Sequence, residues 1–245
     1  MADADGGDAD PARWLGDTPM LGIGDDKLRL RVKTVTQFSR NDTERLLSIC
    51  RYVASIPFNV RPLTRGYGPR VTLRLRKTGG WTSKAALFIA MLRVAGFPAR
   101  VRMIKVGPEI YRGLAKGKVV FPVPVVEVWT DGRWVITDNY VYDPPYLAAA
   151  REAVQKRGWR SGFGVHLEGQ TDWDGVHDAL VMIVPERSEG RLPEQYLGVY
   201  DDPMGLAREN KVRSKPRWLI TEAQHLLMSV RIQRQIRLLR QEAGG

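Results

Sequence analysis

Sulfur and imidazole are scarce in this chain: 245 residues hold one cysteine, Cys50, and three histidines, His166, His177 and His225. A single thiol excludes an intramolecular disulfide, so the cysteine count gives no argument for an oxidising compartment. No histidine precedes residue 166, which excludes an imidazole base or ligand from the amino-terminal two thirds. No cluster of His, Cys and carboxylates has metal-ligand spacing, and no metal or other cofactor is expected. Long apolar runs are missing as well, none approaching the ~18 residues of a spanning helix. The first ten residues, MADADGGDAD, are acidic and carry no apolar segment of the kind a signal peptide needs. The expectation is a cytoplasmic protein.

Positive charge and tryptophan are plentiful. The net charge is +11, and setting aside the four aspartates of the first ten residues leaves +15 on the rest. Such a balance fits either an acidic partner (nucleic acid, acidic protein or an anionic membrane) or an arginine-rich soluble surface. With 43% apolar residues the chain can bury a proper core. The organisation expected is a disordered acidic tail over 1–10, a domain over 11–185, a polar linker over 186–220 and a basic amphipathic helix over 221–245.

In order, residues 11–26 read as an irregular arm held by Trp14 and Leu21. Residues 28–38 are ambiguous between helix and strand. A helix capped at Asn41 or Asp42 follows, with Cys50 in its apolar stripe. A thiol in mid-helix apolar surroundings has its pKa raised, so Cys50 reads as a small core residue and not a nucleophile. Residues 56–77 are a loop rich in arginine, with a short strand possible at 71–75. The stretch 78–100, TGGWTSKAALFIAMLRVAGFPAR, is a Gly-Gly turn, a buried helix capped by Thr82 or Ser83, and a Gly/Pro stop. Asp131-Gly132 then joins two strands as a hairpin. If these two residues form the turn, Trp129 faces Trp134 and Val125 faces Asp138, with Val123 diagonal to Asp138 on the same face. A helix over 147–156, a Gly-rich loop over 161–175 and a buried strand over 179–184 complete the domain. The tail, opening on a Thr221–Gln224 capping box, reads as a helix with Arg231, Arg234, Arg237 and Arg240 on its polar side.

Two of these stretches carry a resemblance. The helix GGWTSKAALF…MLRVAGFPAR and the hairpin block Val123–Asp138 (VPVVEVWTDGRWVITD) resemble the nucleophile helix and the His/Asp block of the transglutaminase-like superfamily. The family pattern places cysteine where this chain has Trp81 and histidine where it has Val123; the third position, Asp138, matches. The resemblance implies an α+β, papain-like fold of the transglutaminase core, with a central helix packed on an antiparallel sheet. It also implies a site whose reactive pair is replaced, because thiol-dependent acyl transfer runs through a covalent thioester that an indole cannot form.

The functional expectation is a non-catalytic binding or scaffold protein. The alternatives are a divergent enzyme using the old cleft without a cysteine, and an adaptor using the basic carboxy-terminal helix. Trp81, Asp138, Arg100, Arg102, Tyr140 and His166 are the candidate residues for a small-molecule or protein ligand in that cleft. Ser83 and Lys84 are adjacent on a helix and point about 100° apart, which argues against a Ser/Lys dyad.

Overall fold

The computed structural model describes residues 10–60, 68–75, 80–115, 117, 122–182, 195–213 and 218–242, with side chains described except at 75 and 210–227. After a short 3-10 turn at Pro11–Leu15, the helices are α1 (Asp26–Thr36), α2 (Asp42–Ala54), α3 (Pro69–Leu75), α4 (Trp81–Val94), α5 (Pro144–Lys156), α6 (Gly205–Arg213) and α7 (Trp218–Glu242). The strands are β1 (Ala99–Lys105), β2 (Pro122–Thr130), β3 (Arg133–Thr137), the two-residue β4 (Ser161–Gly162) and β5 (Val165–His166), and β6 (Gln195–Tyr200). β3, β2, β1 and β6 form one antiparallel sheet in that order; β4 and β5 pair separately.

α4 is the hub of the core. Residues 85–92 of this helix are completely buried, and α4 packs on β1, β2, α1, α2 and α3. A helix apolar on all sides is stable only when surrounded, and the sequence Ala-Ala-Leu-Phe-Ile-Ala-Met-Leu supplies small and large side chains for close approach. Its end is fixed by Arg93, whose guanidinium donates to the carbonyls of Ala99 (3.0 and 2.7 Å), Gly16 (2.6 Å) and Asp201 (2.8 Å). One side chain thereby ties the amino-terminal arm, the start of β1 and the segment after β6 to α4.

The hairpin register is the one read from the sequence: Val126 opposes Thr137 and Trp129 opposes Trp134, around a turn with Asp131 and Gly132 both at positive φ. Elsewhere the structure corrects the expectations. Residues 71–75 belong to a helix, α3, not a strand. Residues 26–36 settle as helix, with the Asp25 carboxylate accepting from the amides of Lys27 and Leu28. Residues 195–200, inside the stretch expected to be a polar linker, add β6 to the sheet edge beside β1. The strand expected over 179–184 is reduced to a bridge between Thr137 and Ala179, and residues 183–184 lie outside the described set. Neither Thr82 nor Ser83 caps α4: Gly80 is the N-cap, and the Ser83 hydroxyl donates back to the Gly80 carbonyl at 3.2 Å. α7 begins at Trp218, before the expected capping box, whose side chains lie outside the described set.

Candidate functional site

Gly80 leads the chain into α4 at a point where an added Cβ would stand 3.2 Å from the Asn59 carbonyl. Trp81 is therefore the first helical residue, at the end where unpaired N–H groups and the helix dipole favour an anion. An indole fills that place. Trp81 is 6% exposed, and its Nε1–H donates to the Tyr142 hydroxyl at 3.0 Å. Tyr142 in turn donates to the Gly164 carbonyl at 2.8 Å, so both capacities of its hydroxyl are used. Gly164 has φ +83°, and a Cβ there would collide with the Tyr142 hydroxyl, so the close approach requires glycine.

Phe58 holds the cluster together. Its ring centroid lies 5.0 Å from Trp81, 4.8 Å from Tyr142 and 4.9 Å from Tyr146, in tilted and edge-on contacts. Tyr142 and Tyr146 stack at 5.3 Å, and Tyr146 donates to the Phe163 carbonyl at 2.7 Å. Burial raises the pKa of both phenols, so they serve as neutral hydrogen-bond donors. The amino end of α4 is thus closed by interlocked rings.

Val123 and Asp138, the other two positions of the resemblance, lie in and just after the sheet. Val123 is fully buried in β2, opposite Ile104 of β1. Asp138 follows β3 and is also fully buried; its carboxylate accepts from the amides of Val181 at 2.6 Å and Met182 at 3.1 Å. Burial pushes the Asp138 carboxyl up to about 6, against the downward pull of those amides. Neighbouring Asn139 donates to the carbonyls of Gln170 (3.1 Å) and Ala179 (2.9 Å), so both residues tie down the segment from 170 to 182. The Tyr140 hydroxyl donates to the Pro124 carbonyl at 3.2 Å while its ring stacks on Phe88 at 4.6 Å.

Arg100 and Arg102 are brought together around Glu127, each with an N···O distance of 2.5 Å to one of its oxygens. The β1–β2 register places these three residues and Val123 on one face of the sheet. Arg100 also lies 3.9 Å over the Trp134 ring, a stacked cation held in a dry setting. His166, in β5, is 6% exposed; its Nδ1 accepts from the Glu168 amide at 3.1 Å, and burial lowers its pKa. With Nδ1 accepting, the neutral ring carries its proton on Nε2 and offers a donor there, not a base. Cys50 is buried in α2, and burial pushes its thiol up to about 12 despite the nearby Lys84 and Arg51 charges.

Sequence reasoning missed a second buried cluster beside the aromatic one. Asp143 is 4% exposed and caps α5 by accepting from the Tyr146 amide at 3.3 Å. It also accepts from the Phe58 amide at 2.6 Å and from Arg240 of α7 at 2.9 and 2.6 Å. Burial raises its pKa, but the Arg240 hydrogen bonds and the Phe58 amide outweigh that, leaving it lowered. Lys84 is fully buried, with its ammonium 3.2 Å from the Ala54 carbonyl; desolvation brings its pKa down to about 7, with Asp143 opposing the shift. The Asp-Pro-Pro sequence signals the helix cap, but nothing in it signals an arginine arriving from 97 residues away.

The architecture is mixed α and β, with buried α4 packed on an antiparallel sheet and its first residue, Trp81, against the Phe58–Tyr142 cluster. Residues 30–139 match the model of the transglutaminase-like superfamily. Among solved structures, the chain is similar to one described as "a Putative Cysteine Protease from Cytophaga hutchinsonii", with 19% identity and a TM-score of 0.41 over 56% of this chain and 44% of that one. The chain thus spans less than half the length of that protein. No curated protein matches the chain.

Proposed function

We propose that this protein is a transglutaminase-like pseudoenzyme, a binding or scaffold protein that keeps the core and lacks thiol-dependent acyl transfer. The observation that carries this reading is Trp81. At the helix end where the family pattern has its cysteine stands an indole that is buried, edge-packed on Phe58 and hydrogen-bonded to Tyr142. The sole sulfhydryl, Cys50, is protonated in a hydrophobic helix face. The imidazole position is an interior valine, and Asp138 spends its oxygens on two backbone amides. Support for a binding role comes from the surface: α7 turns Arg231, Arg234 and Arg237 to solvent, which suits an acidic partner.

The test is turnover by the purified full chain on glutamine- and lysine-bearing peptides and on activated esters, with Cys50→Ala beside it. Neither protein is expected to exceed the buffer rate. Robust turnover by the unmodified chain, whether or not it survives Cys50→Ala, would falsify the reading.

A further inference from the structure

The outward face of α7 mixes charge with exposed apolar surface. Over residues 228–242 the helix docks through Ile232, Ile236 and Leu239, which are 1–3% exposed, through the Val60 amide donating to Gln233 at 3.0 Å, and through the Arg240–Asp143 pair. With 100° per residue, Arg231, Arg234 and Arg237 fall on the opposite arc together with Val230 and Leu238. All five are exposed, Val230 at 57% and Leu238 at 40%. Among the described residues no carboxylate pairs with these three arginines.

We propose that this face is a peripheral docking surface for an anionic lipid bilayer. The proposal rests on the acidic-partner reading of α7 above and makes it specific. The arginines supply attraction to lipid phosphates and serine carboxylates, and their stems lie flat at such an interface. The two apolar side chains decide between acidic partners. Val230 and Leu238 stand about 12 Å apart along the helix, flanking Arg234, where a headgroup layer can take them up and a nucleic acid backbone offers them nothing. Because Ile232, Ile236 and Leu239 are committed to the body, the helix lies on the surface as part of the folded protein and does not insert. The contact is therefore salt-sensitive.

The test is co-sedimentation of the full chain with phosphatidylcholine vesicles made with and without phosphatidylserine, alongside a single-stranded oligonucleotide in solution. Two variants, Arg231→Glu/Arg234→Glu/Arg237→Glu and Val230→Ser/Leu238→Ser, are first checked for unchanged thermal unfolding. Binding is expected to the anionic vesicles only. It should fall on the order of 100-fold in the triple variant, from about 1 kcal/mol per arginine near the surface, and several-fold in the serine pair. Equal binding to neutral vesicles, or vesicle binding unmoved by the serine pair, overturns the bilayer proposal. Oligonucleotide binding with inert vesicles overturns it while leaving an acidic partner in place. No binding in any arm removes both.

Discussion

Cutting the contact between Asp143 and Arg240 should loosen the carboxy-terminal helix and the aromatic cluster together. Asp143 is 4% exposed and receives four hydrogen bonds, two of them from Arg240, which also reaches the Phe58 carbonyl at 3.3 Å and lies 5.5 Å over the Tyr146 ring. Removing one partner of a fully buried pair costs about 3–5 kcal/mol. The Arg240 side chain is 30% exposed, so water softens that loss, and Arg240→Ala should cost about 2–3 kcal/mol. Asp143→Ala also deprives α5 of its cap and leaves the buried Phe58 amide without an acceptor, each worth about 1 kcal/mol, and should cost about 4–5 kcal/mol. The double variant should cost less than the sum, with a coupling of roughly 1.5–2 kcal/mol. Urea unfolding followed by tryptophan fluorescence gives all four stabilities, and amide exchange of residues 228–242 shows whether α7 opens on its own. A coupling below about 0.5 kcal/mol, or unchanged exchange in α7 on losing Arg240, would mean that Ile232, Ile236 and Leu239 dock the helix unaided, and the reasoning would fail.

Trp81→Phe keeps the ring packing and loses only the indole donor, since Tyr142 retains its bond to Gly164; about 1 kcal/mol is expected, against about 3–5 kcal/mol for Trp81→Ala, both read from urea midpoints. Gly164→Ala imposes a side chain at φ +83° and drives a methyl into the Tyr142 hydroxyl, so a loss of about 2 kcal/mol or more should appear in thermal unfolding, with Gly132→Ala, at an open turn, losing less. Lys84 sets a pH dependence. Its folded pKa of about 7 lies below the ordinary 10.5, so between these values the unfolded chain binds the extra proton and stability rises with pH. Lys84→Met should flatten the rise between about pH 7 and 9.5 and raise stability at pH 7 by several kcal/mol, less the lost bond to Ala54. A Met variant with the original slope would place the titration elsewhere.

Local chemistry made the hairpin and the central helix legible before any coordinates. Asp-Gly dictates a two-residue turn, and once the turn is placed the period of two fixes every opposed pair. An eight-residue apolar run between Gly-Gly and Gly-x-Pro can hardly be anything but a buried helix. The sequence suggested Thr82 or Ser83 as cap, which would leave Trp81 ahead of the helix; Gly80 is the N-cap instead, and Trp81 is the first helical residue. What escaped was non-local. β6 is half-exposed and contains Gly198, and it is a strand because β1 offers an open edge. Segment 71–75 alternates Val, Leu and Leu with polar residues as a strand would, yet it packs on α4 as a helix. Asp143, Lys84 and Arg240 come from three distant stretches, and their meeting follows from the packing of α5, α4 and α7. Of the candidate ligand residues, Asp138 turns its carboxylate to the amides of Val181 and Met182, contacts set by a segment more than 40 residues away. The pairing of Arg100 and Arg102 with Glu127 follows from the β1–β2 register, which sequence alone did not supply.

The central claim is that the amino end of α4 is a nucleophile position sealed by an indole. The direct measurement is the pH dependence of iodoacetamide alkylation in the Cys50→Ala/Trp81→Cys/Val123→His variant, with Cys50→Ala as the control lacking any thiol. The account predicts that the introduced thiol titrates well below the ordinary 8.5, under the pull of the helix terminus and an imidazolium, and that the midpoint moves back up when Val123 is restored. A midpoint at or above 8.5, indifferent to residue 123, would contradict it.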